Sequence, residues 1–297
     1  MERHRTGLLK YGFVGPALVL LIAMNVFPLL YDIYLSFTNA ELGVEQRSWV
    51  GVSNYSRVFA DAKFAAALRT TAVFVLVAVA VELAGGFALA LALRKRFFGK
   101  AVVLTLLLIP MMLSPAVMGL YWRLILDGDF GVLNQMLGFL HLPQPQWLTG
   151  PPTWLKLASV LIIDVWMWTP FMMLISLAGL NAIPRYIYEA AEIDRAGSWR
   201  AFWRITLPMC APLLVLAVLL RVTDALKQFD LVMAITGAND AATQTLSALL
   251  YQVMIRNQTV GLGSAYACVV LVVVIALASA FTRYIGYIQR KGGKAAA

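Results

Sequence analysis

The chain has 297 residues, 61% of them apolar and only 13% charged, with a net charge of +9 at neutral pH. Soluble domains run at about 45–50% apolar and about 25% charged, so the composition excludes an ordinary water-soluble enzyme and leaves room for several spans of about 20 residues. The basic excess sits in short clusters between apolar runs, where it orients a membrane protein, so nucleic acid is not an expected partner.

Windows of about 19 apolar residues place six spans, at 12–36, 69–93, 101–124, 156–180, 209–234 and 263–287. The first follows Arg3, Arg5 and Lys10 as a secretory leader would. Its apolar run exceeds the usual length of about 7–15 residues and no small-residue cleavage site follows, so it reads as a retained span. One set of alternate connections carries Arg3, Arg5 and Lys10, then Arg94, Lys95, Arg96 and Lys100, then Arg185, Arg195, Arg200 and Arg204, and finally Arg290, Lys291 and Lys294. The opposite set carries only Arg47, Arg57, Lys63 and Arg256. Cationic loops stay inside, so both termini are expected in the cytoplasm. No internal repeat or second domain is visible, and 1–297 reads as one transmembrane domain. Cys210 and Cys268 lie in apolar stretches and read as small packing residues.

Pro110, Pro115, Pro170, Pro208 and Pro212 punctuate the interior spans, which suits either broken helices around a cavity or ordinary kinks in a packed bundle. Glu82, Asp164, Arg221, Asp224, Lys227 and Asp230 lie within or near the ends of spans. There an unpaired charge costs at least about 2.5–3.5 kcal/mol at the bilayer centre, so none of them should face lipid. From Arg221 to Asp230 the sign alternates every three residues, so neighbours on one helix can pair. If that helix enters hydrocarbon near Cys210, a rise of about 1.5 Å per residue puts Arg221 about 16 Å in and Asp230 about 30 Å in. Two readings stay open: a self-neutralising ladder that holds the bundle, or the wall of a watery path, with Asp224 and Gln228 on the Arg221 face. Asp164 is followed by Trp166, Trp168, Thr169 and Pro170, rings that either stack on a sugar or simply pack.

Between the fourth and fifth spans, residues 181–208 read NAIPRYIYEAAEIDRAGSWRAFWRITLP. Ile183, Ile187, Ala190 and Ala191 recur at helical spacing, Pro184 suits a helix start, and Gly197 breaks the chain before a second short helix with Phe202, Trp203 and Ile205. Such an element either lies on anionic lipid, as Arg200 and Arg204 would favour, or docks a soluble partner.

In this segment the sequence resembles the inner-membrane permease subunits of bacterial binding-protein-dependent ABC importers, in their carbohydrate-uptake branch. The family's loop has Glu-Ala-Ala, three residues, Gly, nine residues, Ile, one residue, Leu-Pro. This chain has Glu189-Ala190-Ala191, then Asp194 followed by Arg195 in the glycine position, then Ile205, Leu207 and Pro208. Gly197, two residues on, is expected to take over the turn. Further landmarks include Leu35-Ser36-Phe37, Val50-Gly51-Val52-Ser53-Asn54-Tyr55, Trp122, Gly131-Val132-Leu133-Asn134, Trp147-Leu148, Ala178-Gly179-Leu180 and Phe229-Asp230. Thr236-Gly237 and Thr243 resemble the branch's first-type, maltose-permease-like subunit, although Ala238-Asn239-Asp240 stands where that type has Gly-Gly-Pro.

The resemblance implies an all-α integral membrane protein with the six-helix ABC importer permease fold, multi-pass in a bacterial inner membrane. It implies a second permease subunit as partner, in a heterodimer, together with two ATPase subunits, a periplasmic or extracellular solute-binding protein and membrane lipid. Glu189, Ala190, Ala191, Asp194, Arg195, Gly197, Ile205, Leu207 and Pro208 would form the ATPase-coupling element. Asp164, Trp166, Trp168, Arg221, Asp224, Lys227, Gln228 and Asp230 are the candidates for the substrate path.

The chain has no phosphate loop, no metal-ligand spacing and no Ser/His/Asp set, so it is expected to carry no cofactor and no catalytic residue. ATP and magnesium would belong to the partner ATPase. By the same resemblance the solute would be a sugar, polyol or glycoside, neutral or anionic. The competing reading is a secondary transporter coupled to an ion gradient through its buried carboxylates.

Overall fold

The computed structural model describes the backbone of residues 2–95 and 97–294 and the side chains of 14–95, 97–283 and 286. Arg96 lies outside the described residues, as do the side chains of Arg3, Arg5, Lys10, Arg290, Lys291 and Lys294. In chain order the helices are α1 (Glu2–Ser36), α2 (Ser53–Ala60), α3 (Ala62–Leu93), α4 (Lys100–Met112), α5 (Pro115–Ile125), α6 (Val132–Phe139) and α7 (Trp154–Ala182). There follow α8 (Arg185–Ile193), α9 (Ser198–Ala201), α10 (Leu207–Ala225), α11 (Asp230–Ile235), α12 (Leu246–Tyr251) and α13 (Val260–Lys294). Wide π-helical turns occupy Phe202–Thr206 and Gln252–Arg256. Helix dominates because a segment in hydrocarbon must satisfy its own backbone N–H and C=O groups.

Among the described residues, five stretches are long and apolar enough to cross a membrane: Val14–Ser36, Ala62–Leu93, Trp154–Ala182, Ser198–Ala225 and Val260–Arg283. A sixth exists only if α4 and α5 are counted together, and those two helices meet at 95°. The run at 101–124 is therefore not one straight helix. Pro115 forbids the helical conformation at Ser114, which is extended at φ −66° and ψ 128°, and the next helix restarts on that proline. Pro170 and Pro212, by contrast, sit inside continuous helices, and Pro208 occupies the first turn of α10.

The run at 209–234 is also divided, since α10 stops at Ala225 and α11 begins at Asp230. No proline or glycine causes this break. The backbone carbonyl of Gln228, a group that helix continuation would use, instead accepts the Thr245 hydroxyl at 2.8 Å, and the Gln228 side chain reaches Asp164.

The chain divides into two compact units, one of Met1–Phe64 with Leu250–Val272, the other of Ala65–Leu249 with Val273–Ala297. In the first, buried Asn54 donates to the carbonyls of Ser36 at 2.9 Å and Thr38 at 2.8 Å, while the Tyr55 and Ser36 hydroxyls meet at 2.7 Å. These landmarks thus close the chain that follows α1. Phe64 packs on Tyr266 at 5.6 Å between centroids, and the Tyr266 hydroxyl donates to Asp61.

The second unit is organised around α7. Ala90, Leu93, Met173, Leu177, Leu180, Ile183, Cys210 and Leu214 form one buried cluster from α3, α7 and α10. Gly86 permits the close approach of α3 to α7, because a Cβ there would lie 2.6 Å from Met172 Cβ and 2.7 Å from the Met173 amide nitrogen. Farther along, Asn134 donates to the carbonyls of Gly128 and Pro145 and accepts from the Trp147 indole at 2.8 Å, tying α6 to the segment leading into α7. Asp240, the departure from the family pattern, pairs with Lys156 at 2.8 Å.

Candidate functional site

Glu82 on α3, Asp164 on α7 and Arg221 on α10 meet inside the second unit, each at most 1% exposed. Arg221 Nε donates to Glu82 Oε2 at 2.8 Å, and Nη2 donates to Glu82 Oε1 at 3.0 Å, a bidentate pair. Nη2 also donates to Asp164 Oδ2, and Nη1 donates to Asp224 Oδ2 at 3.0 Å. The guanidinium carbon stands 4.8 Å from the centre of the Trp168 ring. Every nitrogen of Arg221 is thus engaged within the chain. Three helices that a bilayer alone holds weakly are joined by charge, and four of the five N–H donors of Arg221 are taken up by these carboxylates.

Asp164 and Arg221 therefore fit the structural reading of the buried charges. Asp224 differs, because its side chain is 56% exposed while one oxygen remains on Arg221. Gln228 is half-buried and donates to Asp164 Oδ1 at 2.8 Å. The expected four-residue ladder is corrected: only Arg221 and Asp224 form a rung, because the helix ends before Lys227 and Asp230. Both of those are exposed, and among the described residues neither enters an ion pair.

Trp166 is 39% exposed and stands edge-on to Trp122 of α5 at 5.6 Å between centroids. Among the described residues, the buried Trp122 indole N–H has no hydrogen-bond partner. Neither Glu82 nor Trp122 was among the sequence-derived site residues. Glu82 announces itself as an acid in the middle of an uncharged apolar run, which at that depth demands a partner. Trp122 carries no comparable signal.

The 181–208 segment folds as α8, a tight turn, α9 and the π-helical turn, the helix–turn–helix expected from its pattern. It grows directly out of the core, for Ile187, Tyr188 and Leu207 pack against the buried cluster of α3, α7 and α10. The Tyr188 and Thr206 hydroxyls meet at 2.9 Å, the Arg94 guanidinium lies 4.5 Å over the Tyr188 ring, and Phe87 packs on Phe202 at 6.0 Å. Glu189 and Ala190 face outward, while Ala191 is buried. Ile205 is half-buried in the π-helical turn, and Pro208 is exposed at the start of α10.

The turn itself differs from expectation. Arg195, not Gly197, adopts the left-handed conformation, at φ 51°. Its amide donates to the Glu192 carbonyl at 3.0 Å and the Ala196 amide donates to the Ala191 carbonyl at 2.8 Å, with Asp194 at the helix end, which is the Schellman closure. Gly197 has φ −62° and ψ 156°, ordinary extended backbone ahead of α9. The arginine in the family's glycine position therefore makes the glycine's turn.

Residues 82–287, from the buried Glu82 through the whole helix–turn–helix, match the family described as binding-protein-dependent transport system inner membrane component. The chain belongs to this family. A probable ABC transporter permease of Sinorhizobium fredii is 35% identical over 270 residues, 90% of this chain and 86% of its own length. The trehalose/maltose transport system permease MalF of Thermococcus litoralis is 32% identical over 273 residues, 92% of each chain. The fold is also that of a chain from a bacterial ABC transporter involved in the import of the acidic polysaccharide alginate. The TM-score is 0.84, with 97% of this chain and 98% of that one covered at 19% identity. This permease is accordingly a multi-pass membrane transport subunit rather than an enzyme.

Proposed function

We propose that this permease is the membrane-spanning subunit of an ATP-driven importer that carries a sugar, polyol or glycoside from the periplasm into the cytoplasm of a bacterium, across its inner membrane. The observation that carries the coupling is the 181–208 element, an exposed Glu189-Ala190 surface built on side chains rooted in the transmembrane core. In this reading the element and both termini are cytoplasmic, two ATPase subunits bind there with ATP and magnesium, and a solute-binding protein delivers cargo from the opposite side. A second permease subunit completes the path. The need for one is supported by Val14–Ser36, whose most apolar window has no residue buried within the chain. Relatives with trehalose/maltose and alginate systems support the carbohydrate class.

Along the path the solute would meet Asp224, Lys227, Gln228 and the exposed edge of Trp166. Asp164, Arg221 and Trp168 would hold those groups in place, and Asp230 would stand at the outer end. A carboxylate that is half exposed within a span is stable only where water or polar groups reach it, which favours a path-facing Asp224.

Reconstitution of the complete complex in liposomes, with its binding protein, tests the reading. Uptake of the solute should require ATP and persist after an ionophore collapses ion gradients. Uptake that follows the gradient and ignores ATP would overturn it.

A further inference from the structure

Between α8 and the α9 segment lies an open groove of about 300 Å³. Its lining is small and apolar: Ala190 and Ala191 from α8, then Ala196 and Ala201 beyond the turn, with Ile187 and Ile205 flanking them. At its margin stand Asp194, Arg200 and Arg204. All three charges are exposed, and among the described residues none of them enters a hydrogen bond or ion pair through its side chain. A cavity of about 150 Å³ accepts a benzene ring, so this groove has room for one or two large apolar side chains.

Such a shape is the reverse of a simple knob. The face that presents Glu189 outward is continuous with a recess floored by alanines, and an unpaired pair of arginines one helical turn apart lies beside it. We propose that the groove seats a bulky apolar side chain of the ATPase subunit, and that an acidic residue next to that side chain pairs with Arg200 and Arg204. The inference rests on the reading of 181–208 as the ATPase-docking element and makes that docking reciprocal: the permease loop enters the motor, and a side chain of the motor enters the loop. Four alanines then have a reason to be small, since a larger residue would fill the seat. The two arginines supply register, because a charge pair at the margin fixes which way the partner side chain enters.

The test uses the complete complex, purified through a tag on the permease. Ala201→Phe should fill the groove and lower the ATPase recovered by at least about tenfold, the loss expected when a buried anchor is excluded from an interface. The double variant Arg200→Glu, Arg204→Glu should do the same without adding bulk. Photoleucine in place of Ile205 reports the occupant directly and preserves size, and illumination should yield an adduct on an ATPase peptide. Full ATPase recovery with Ala201→Phe, or an adduct confined to lipid or to the permease, overturns the inference. Glu189→Arg separates the two levels. If it strips the ATPase while the groove variants retain it, the docking reading stands and the groove inference fails. If all the variants retain the ATPase, the docking reading fails as well.

Discussion

The turn at Arg195 gives the sharpest test, because an ordinary L-residue occupies a conformation that favours glycine. Left-handed backbone costs a residue with a Cβ about 1–2 kcal/mol, whereas glycine in the same place loses about 0.4–1 kcal/mol of extra chain entropy on folding. Arg195→Gly and Arg195→Ala both remove the cation that favours a helix C-terminus, a contribution of about 0.3–1 kcal/mol that cancels between them. The glycine variant should therefore be more stable at the turn than the alanine variant by about 0.5–1 kcal/mol, or about two- to fivefold in a local opening equilibrium.

The Ala196 amide is the reporter, since its bond to the Ala191 carbonyl at 2.8 Å closes the turn. Hydrogen exchange at that amide, corrected for intrinsic rate, should be slower in Arg195→Gly than in Arg195→Ala by that factor. Gly197→Ala serves as the converse, for a Cβ at Gly197 meets nothing within 4 Å and its φ is ordinary, so protection should hold or rise. Equal protection in the two Arg195 variants, together with a loss in Gly197→Ala, would refute the assignment and return the turn to Gly197.

Other expectations follow from the core and the charged cluster. Arg221→Met strands two buried carboxylates and should cost about 3–5 kcal/mol, read as a lowered unfolding midpoint in detergent; adding Glu82→Gln and Asp164→Asn should restore most of it. Gly86→Ala should destabilise by about 1–3 kcal/mol, because its Cβ would strike backbone as well as a side chain of α7. Gly85→Ala should be nearly neutral, since its Cβ would rest 3.6 Å from Thr169 Cγ2, and equal midpoints for the two glycine variants would contradict the packing. Asp224→Asn should leave the unfolding midpoint within about 1 kcal/mol, as expected for one exposed partner of a larger network, yet alter solute uptake. Unchanged uptake at low solute concentration would remove Asp224 from the path.

Much of this molecule is written locally. Apolar run length makes α1, α3, α7 and α13 long enough to span, because hydrocarbon leaves a helix no alternative. The 3.6-residue spacing of Ile183, Ile187, Ala190 and Ala191 marks the helix–turn–helix before any coordinates are known. The need of Glu82, Asp164 and Arg221 for partners is equally plain, since an isolated charge at that depth is too costly.

Which partner each charge takes is a different matter. Arg221 and Glu82 are 139 residues apart, and no periodicity on either helix encodes that meeting. The same limit explains the ladder, where an alternating pattern suggested four rungs on one helix. Gln228 bonded instead to Asp164 and Thr245, ending the helix after the first rung. Whether Arg195 or Gly197 carries the left-handed turn also lay beyond the sequence, because glycine permits that conformation without requiring it. Thus the sequence by itself settled that the chain lies in a membrane, where its apolar runs fall and where a helix–turn–helix stands between two of them, because these depend on neighbours a few residues away. The tertiary structure alone decided which charges are spent on one another, where helices break and where a groove opens, because those outcomes are set by competition among groups that only folding brings together.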